Sequence, residues 1–273
     1  MSMVLDVDGT IAGEDNFLSP SVQTAIAQVQ AKGIKVAIAT GRMYCSALRF
    51  HALIASDQPL IAYNGAWVQH PVTQDVLQHS PLSVPLATAL LEHWEQPEWV
   101  SRLDIHCYYN DELYVREITP RTIHYTQRSG ISVNPVGDLR PLLEQEVTKM
   151  LALSDDTLAI AQLYQQLKQQ YTTEQLYITQ STPTFVEATR SQVNKGTAVQ
   201  FLTEDYLNYQ PQQVMAIGDN WNDLEMLQYA GFPVIMGNAP HSLKQFAAQH
   251  FSHWVAPDVE ADGVAKAIEK FLL

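Results

Sequence analysis

Residues 3–10 read Met-Val-Leu-Asp-Val-Asp-Gly-Thr, an apolar run that ends in two carboxylates, Asp6 and Asp8, two positions apart. The apolar start predicts a buried strand, and the glycine predicts a turn directly after it. Burying a carboxylate without a partner is costly, so such a pair calls for a chemical reason. Taken alone, the stretch is equally compatible with a strand that ends in an ordinary Asp-Gly turn.

Short apolar runs alternate with amphipathic helical stretches on both sides of a middle segment, which predicts βα units and a parallel sheet. Ser19 and Pro20 begin the first helix, as N-cap and first helical residue, and Gly33 marks its end. Further core strands are predicted at residues 36–39, 60–63, 214–217 and 233–235, and further core helices at 195–207, 224–229 and 262–272. The expected fold class is α/β, with a doubly wound, mostly parallel, Rossmann-like sheet.

Between residues 81 and 186 the pattern changes to that of an α+β domain. Helical stretches at 86–94 and 158–171 accompany alternating apolar runs, two of which are separated by Asn110-Asp111 as a hairpin turn. Other strands are predicted at residues 147–151, 176–179 and 184–186. We therefore expect residues 1–80 and 187–273 to form the core domain and residues 81–186 to be inserted into it.

Composition restricts the class of protein. The chain has 273 residues, 46% of them hydrophobic, and a formal net charge of −13. This negative balance argues against a general nucleic-acid or anionic-membrane surface, which needs clusters of Lys and Arg. No apolar run approaches the roughly 18 residues that span a bilayer, and the two cysteines, Cys45 and Cys107, lack a metal-binding or disulfide pattern. These features predict a cytoplasmic protein without nucleic-acid or membrane partners; they do not indicate its oligomeric state.

Polar residues follow several predicted core strands. Asp6 and Asp8 follow the first strand, Thr40 follows the second, and Asp219 and Asp223 follow the strand at 214–217. The carboxyl ends of parallel strands share one edge of the sheet, where open α/β folds bind ligands. Converging carboxylates repel one another unless a cation lies among them, and oxygen ligands without Cys or His favour Mg²⁺ over zinc.

Two cations belong to the same set of loops. Lys195 and Arg42 bring positive charge to an otherwise acidic edge. Carboxylates, a divalent ion and a positioned ammonium suit a phosphoryl group, whose oxygens carry charge that the cations stabilise. The Thr40 hydroxyl and the backbone amides of the Gly41 turn would add hydrogen-bond donors.

Four motifs together resemble those of the haloacid dehalogenase-like superfamily, in the order and spacing of its Cof-like phosphatases. They are Asp6-Val-Asp-Gly-Thr10, Thr40-Gly-Arg42, Asn194-Lys-Gly196 and Gly218-Asp-Asn-Trp-Asn-Asp223. Supporting stretches at 227–231, 236–239 and 262–265 are also similar to that subfamily. The resemblance covers most of the core, and the inserted block stands where Cof-like proteins carry their cap domain. It therefore implies a phosphatase whose cap residues set specificity for a small phosphorylated substrate.

The resemblance also implies a role for each matching residue. Asp6 would be the nucleophile that forms an aspartyl-phosphate, and Asp8 would protonate the leaving group and then activate water. Thr40 and Lys195 would hold the transferred group as part of the catalytic set. The substrate-binding residues implied are Thr40, Gly41, Arg42, Asn64, Lys195 and Asn222.

The implied metal ion is Mg²⁺. Its ligands would be the Asp6 side chain, the Asp8 main-chain carbonyl and Asp219, with Asp223 as a supporting or water-mediated ligand. Asn222 would lie close to the phosphate.

Other interpretations of these residues stay open at this point. Asp219 and Asp223 could simply cap a helix, Lys195 and Arg42 could be solvated charges at helix ends, and Thr40 is an adequate N-cap for a helix that begins near residue 44. For the whole protein, a phosphomutase would pass the phosphoryl group to another hydroxyl. A non-catalytic phosphoacceptor or sensor would keep it.

Overall fold

The computed structural model describes residues 1–180 and 182–273. The chain forms two compact units, the first made of Met1–Leu77 and Asn194–Leu273 and the second of Gln78–Val193. The sequence pattern placed the boundaries at 80/81 and 186/187 instead. The second boundary lies later because residues 187–190 continue a strand, Phe185–Arg190, that pairs on both sides within the second unit.

Strands and helices alternate along most of the chain and are numbered here in chain order. The strands are β1 Ser2–Leu5, β2 Lys35–Ile38, β3 Leu60–Ala62, β4 Trp67–Gln69, β5 Val76–His79, β6 Asp104–Tyr109, β7 Glu112–Val115, β8 Val133–Pro135, β9 Lys149–Leu153, β10 Leu176–Thr179, β11 Phe185–Arg190, β12 Val214–Gly218, β13 Phe232–Ile235 and β14 Trp254–Val255. The α-helices are α1 Pro20–Ala31, α2 Tyr44–Leu53, α3 Val84–Trp94, α4 Pro120–Ser129, α5 Thr157–Gln170, α6 Lys195–Gln200, α7 Leu224–Tyr229, α8 His241–His250 and α9 Gly263–Phe271.

A five-stranded parallel sheet lies at the centre of the first unit, in the order β14-β13-β12-β1-β2. The three apolar residues Met3, Val4 and Leu5 of β1 are fully buried between β12 and β2. From β1 the chain winds to β2 on one side and later through β12 to β14 on the other. This order confirms the predicted doubly wound α/β class, and it puts the carboxyl ends of β1, β2 and β12 on one edge.

The helices of the first unit begin and end largely as their sequence signals indicate. Ser19 caps α1 by accepting the Val22 N–H at 3.2 Å, and Gly33 follows the helix with φ 83°. The Ser19 hydroxyl also donates to the Asp262 carboxylate at 2.5 Å, which joins the start of α1 to the turn before α9. The helix predicted over 195–207 begins as α6 and widens into a π-helical segment, Phe201–Tyr206.

The second unit is built on a six-stranded sheet in the order β10-β11-β9-β6-β7-β8. Apolar side chains of α3 and α5 form one core with those of the sheet, among them Cys107, Met150 and Val186. The predicted hairpin is confirmed, since Tyr109 pairs with Glu112 across a two-residue turn. The strand predicted at 147–151 begins two residues later, because Val147 forms a separate bridge to Leu82.

None of the helices in the described residues combines the length and the apolar character that crossing a membrane requires.

Candidate active site

Three of the predicted acidic residues meet at the carboxyl edge of the central sheet. Asp6 directly follows β1, Asp219 directly follows β12, and Asp223 lies one short turn further on. One carboxylate oxygen from each lies within 4.8 Å of the other two. We call these three residues the acidic cluster. All three are buried, so their mutual repulsion is only weakly screened.

Lys195 is the first residue of α6 and reaches into the acidic cluster. Its Nζ lies 2.6 Å from Asp6 Oδ1 and 2.6 Å from Asp223 Oδ1, and its side chain is fully buried. The helix start is fixed by Asn194, whose Oδ1 accepts the Thr197 N–H at 2.9 Å. A buried ammonium requires such partners, so the interpretation of Lys195 as a solvated helix-end charge is wrong.

Asp223 organises the loop after β12 while it binds Lys195. Its Oδ2 accepts the N–H groups of Asp219 at 2.8 Å and Asn220 at 2.9 Å. A β-carbon on Gly218 would lie 2.6 Å from Asp223 Cβ, so only glycine allows this close approach. The capping interpretation of Asp223 is therefore correct for one oxygen, whereas the other oxygen faces the ammonium.

Asp219 is contacted by residues from two other segments, the loop after β1 and the loop after β13. The Thr10 hydroxyl lies 3.5 Å from its Oδ1, and Asn238 Nδ2 donates to its Oδ2 at 3.2 Å and to the Gly9 carbonyl at 2.8 Å. Gly9 has φ 77°, and a β-carbon there would lie 2.3 Å from Asp219 Oδ2. The sequence indicated Asn238 only as part of the supporting stretch 236–239 and gave it no role, although it lies just after β13, at the same edge.

Burial and charge crowding dominate the electrostatics of the acidic cluster. Burial raises the pKa of Asp6 to about 7, and the Asp223 carboxylate acts in the same direction. Burial likewise raises the pKa of Asp219 to about 9, with Asp223 and Asp6 adding to it. For Lys195, burial acts to lower the pKa, but the carboxylates of Asp223 and Asp6 raise it above its usual value. Ionising all three carboxyl groups beside a single ammonium would thus create an excess of negative charge.

The donor set of the acidic cluster fits Mg²⁺. Its candidate ligands are carboxylate oxygens, which hard divalent ions prefer, and the pKa values of Asp6 and Asp219 indicate that ionising all three carboxylates needs further positive charge. Asp6, Asp219 and Asp223 are the residues that could hold such an ion.

Asp8 lies on the more open side of the same loop and pairs with Arg42. Arg42 Nε donates to Asp8 Oδ2 at 2.8 Å and Nη2 donates to Asp8 Oδ1 at 2.6 Å. Nη2 also donates to Asn16 Oδ1 at 2.5 Å, and the guanidinium carbon lies 4.8 Å from the centre of the Phe50 ring. The Asp8 side chain is 39% exposed and that of Arg42 only 8%. Arg42 is therefore engaged with Asp8 rather than solvated.

The remaining predicted residues form a buried polar group beside the acidic cluster. Asn222 Nδ2 donates to Asn64 Oδ1 at 3.0 Å, and a β-carbon on Gly41 would lie 3.0 Å from that same oxygen. The predicted capping role of Thr40 is wrong, because Met43 is the N-cap of α2. The Thr40 hydroxyl instead accepts the Arg42 N–H at 3.2 Å within its own turn.

A family model described as haloacid dehalogenase-like hydrolase matches residues 3–268. The chain therefore belongs to the haloacid dehalogenase-like hydrolase family, in agreement with its fold, its four motifs and the geometry of their residues.

Two curated relatives are similar over nearly their whole length. The 5-amino-6-(5-phospho-D-ribitylamino)uracil phosphatase YitU of Bacillus subtilis is 28% identical over 98% of this chain and 96% of its own. The HMP-PP phosphatase of Cronobacter sakazakii is 28% identical over 92% of this chain and 94% of its own.

Solved structures share the fold over the whole chain. TM0651 from Thermotoga maritima has a TM-score of 0.80 and 25% identity, covering 100% of this chain and 97% of its own. The subclass IIB sugar phosphatase BT4131 has a TM-score of 0.83 at 21% identity, covering 99% of this chain and 98% of its own. The second unit is thus part of an architecture found in other members of the fold.

Proposed function

We propose that this protein is a Mg²⁺-dependent phosphatase that hydrolyses a small phosphorylated metabolite through an aspartyl-phosphate on Asp6. The observation that carries the proposal is the position of Lys195 Nζ, 2.6 Å from both Asp6 and Asp223, beside a third carboxylate at the sheet edge. Such a site combines a nucleophile, a fixed ammonium and oxygen ligands, which phosphoryl transfer requires. Both relatives are named as phosphatases, which supports the same reaction class.

In the proposed reaction Asp6 attacks phosphorus and forms an acyl phosphate, which water then hydrolyses. Lys195 orients the Asp6 carboxylate through the 2.6 Å contact and stabilises charge on the phosphoryl oxygens. The Thr40 hydroxyl, which accepts the Arg42 N–H, would donate its own proton to the same oxygens. Bound Mg²⁺, held by Asp6, Asp219, Asp223 and the Asp8 carbonyl, would neutralise charge on the acidic cluster and on the phosphoryl group.

Asp8 is the proposed general acid and base. Its carboxylate is the more accessible of the two in the Asp-Val-Asp stretch, and Arg42 fixes its orientation through two hydrogen bonds. It would donate a proton to the leaving oxygen in the first step and remove one from water in the second, which typically contributes ~10²- to 10⁴-fold in rate. Arg42 would then act through Asp8 rather than directly on the substrate.

The substrate is proposed only by class. The two relatives are named for a phosphorylated ribitylamino-uracil and for HMP-PP, which supports a small phosphorylated metabolite. The second unit, Gln78–Val193, would provide the residues that distinguish one such metabolite from another. The net charge of −13 supports neither nucleic acid nor an anionic membrane as a partner. A cytoplasmic location stays a prediction.

Release of inorganic phosphate from an aryl phosphate tests the reaction. We expect turnover with Mg²⁺, loss of turnover with EDTA, and recovery when Mg²⁺ is added back. Asp6→Asn should abolish turnover, whereas the control Asp57→Asn, at an exposed aspartate of the same unit, should not. Near-normal activity of Asp6→Asn, or full activity in EDTA, would refute the proposal. Transfer of phosphate to a second hydroxyl would indicate a mutase, and a stable phosphoprotein without turnover would indicate a sensor.

A further inference from the structure

The turn Tyr63–Gly65 between β3 and β4 has a strained backbone. Its three residues have φ values of 52°, 54° and 99°, all in the left-handed region. Residues with a side chain rarely adopt this region, and a bulky residue such as Tyr63 is especially disfavoured there. All three residues are buried. Contacts to other segments must therefore impose this conformation, since the chain would not choose it locally.

Backbone contacts tie the turn to two loops of the active site. The N–H groups of Tyr63 and Asn64 donate to the carbonyls of Arg42 and Thr40, each at 2.9 Å. On the other side, a β-carbon at Gly65 would lie 2.4 Å from the carbonyl oxygen of Asn194, the residue that caps the helix of Lys195. The turn thus touches the loop of the second motif and the start of the third.

The side chain of Asn64 also connects the turn to the loop of the fourth motif, residues 218–223. Its Oδ1 accepts a hydrogen bond from Asn222 Nδ2 at 3.0 Å, and both residues are buried. Asn222 immediately precedes Asp223, which binds both Lys195 and the backbone of Asp219. Buried amide pairs of this kind fix relative positions, because breaking one leaves polar groups unsatisfied.

We propose that Asn64 is a positioning residue of the active site, which aligns the loops of Thr40, Lys195 and Asp223 through its contact with Asn222. The inference rests on the proposed phosphatase function and concerns how that site is held together. Phosphoryl transfer depends on the mutual placement of these groups, and a displacement of about 1 Å can cost ~10²-fold in rate. Asn64 therefore affects turnover without touching the substrate.

A double-mutant cycle distinguishes this positioning role from direct binding of the substrate by Asn64. Asn64→Gly removes the amide but keeps a residue that adopts the left-handed backbone freely. We expect its kcat for an aryl phosphate to fall about 10- to 100-fold while KM changes less than about 3-fold. Asn222→Ala should cause a similar loss, and the double variant should lose little more than the worse single variant, because both remove one interaction. The matched control Asn208→Gly, at an exposed asparagine with φ 54°, should keep wild-type kcat.

Losses that multiply in the double variant, or a large rise in KM with unchanged kcat, would overturn the inference and make Asn64 a substrate ligand. If Asn64→Gly does not fold, Gly41→Ala tests the same contact, since its methyl group would press on the Asn64 amide. It should lower kcat with little change in KM, and unchanged kcat would contradict the inference. Absence of turnover by the wild-type enzyme would overturn the proposed function as well. Multiplying losses in an active enzyme overturn this inference alone.

Discussion

Two lysines are buried almost completely among the described residues, and their sites differ in the number of carboxyl groups around the ammonium. Lys195, in the first unit, lies 2.6 Å from two carboxylates of a cluster of three. Lys149, on β9 of the second unit, pairs with Glu187 on β11 at 2.8 Å, and its Nζ lies 4.8 Å from the centre of the Tyr108 ring. Lys149 has one carboxyl group as its partner, whereas the Lys195 site has three carboxyl groups for one ammonium.

This difference shows which feature of a buried lysine indicates a functional site rather than a structural ion pair. Burial is the same at both positions, so burial alone does not separate a catalytic site from a structural pair. The excess of carboxyl groups does, because it adds to the effect of burial in raising the pKa of Asp6 and Asp219, and it makes a divalent cation favourable there. At Lys149 the opposing effects of burial and Glu187 leave the ammonium stable, with its pKa raised.

The largest expected effect concerns activity at the Lys195 site. Lys195→Met should lower kcat for an aryl phosphate about 10²- to 10³-fold, since it removes a preorganised positive group. The matched control Lys35→Met, at a partly exposed lysine of the same unit, should stay within about 2-fold of wild type. Steady-state phosphate release measures both. Equal activity of the two variants would break the proposed distinction between catalytic and other lysines.

The next effect concerns stability at the Lys149 pair. Lys149→Met should reduce the free energy of unfolding by about 3–5 kcal/mol, because it leaves the buried Glu187 carboxylate without its ammonium partner. Combining it with Glu187→Leu should recover most of that loss, since two apolar side chains need no charge partner. Urea unfolding followed by far-UV circular dichroism gives both values. A double variant no more stable than Lys149→Met would contradict the structural role assigned to the pair.

The third prediction uses pH to test the charge excess. In the metal-free folded protein the pKa values of Asp6 and Asp219 are raised to about 7 and about 9 from an ordinary value of 3.8, so the folded state binds more protons than the unfolded chain. The stability contributed by these two groups should therefore fall as the pH rises from about 4 to about 9, and this outweighs the opposite contribution of the buried His106, whose pKa is lowered to about 3. We expect a melting midpoint about 4 °C or more lower at pH 8 than at pH 5.

Adding Mg²⁺ and testing the variant Asp219→Asn show whether the acidic cluster causes this pH dependence. Mg²⁺ should raise the melting midpoint more at pH 8 than at pH 5, because ionised carboxylates bind it best. Asp219→Asn should flatten the pH dependence. An identical pH dependence of the midpoint in metal-free wild type and Asp219→Asn would show that the acidic cluster does not crowd its carboxyl groups in this way.

The smallest effect is expected for an exposed pair. Lys35 Nζ lies 3.0 Å from Asp57 Oδ2, with side chains 39% and 68% exposed. Asp57→Asn should change the free energy of unfolding by less than about 1 kcal/mol, because water screens such pairs. The same urea titration provides the comparison with Lys149→Met. If Asp57→Asn lowered the free energy of unfolding as much as Lys149→Met does, burial would not explain why the two ion pairs differ.

Sequence signals predicted the elements that build the site, with limits that have physical reasons. The strands at 36–39 and 214–217 and the helix after Ser19 were found because their apolar period and caps are local. Helix α4, Pro120–Ser129, was missed even though Thr119 caps it and Gly130 ends it with φ 68°. Most residues of α4 are polar, so the sequence lacks the apolar periodicity that predicts a helix. The short strands β4, β5 and β14 offered too few residues for a pattern.

For the site, the sequence indicated which residues meet and left open how they pair. It brought Asp6, Asp219, Asp223 and Lys195 to one edge, as the structure does. It did not indicate that Arg42 would donate hydrogen bonds to Asp8 or that Asn238 would donate one to Asp219. Such pairings depend on the distance between loops, which side-chain identity does not encode.

The sequence by itself therefore determined the class of chemistry available: acidic residues at strand ends, a lysine at a helix start, and their order along the chain. Tertiary structure decided which of these groups form ion pairs and hydrogen bonds with one another. Asn64 and Asn222 are 158 positions apart, and Lys149 and Glu187 are 38 apart. Side-chain type is written locally in the chain, whereas burial and contact between distant segments exist only after the sheet has assembled.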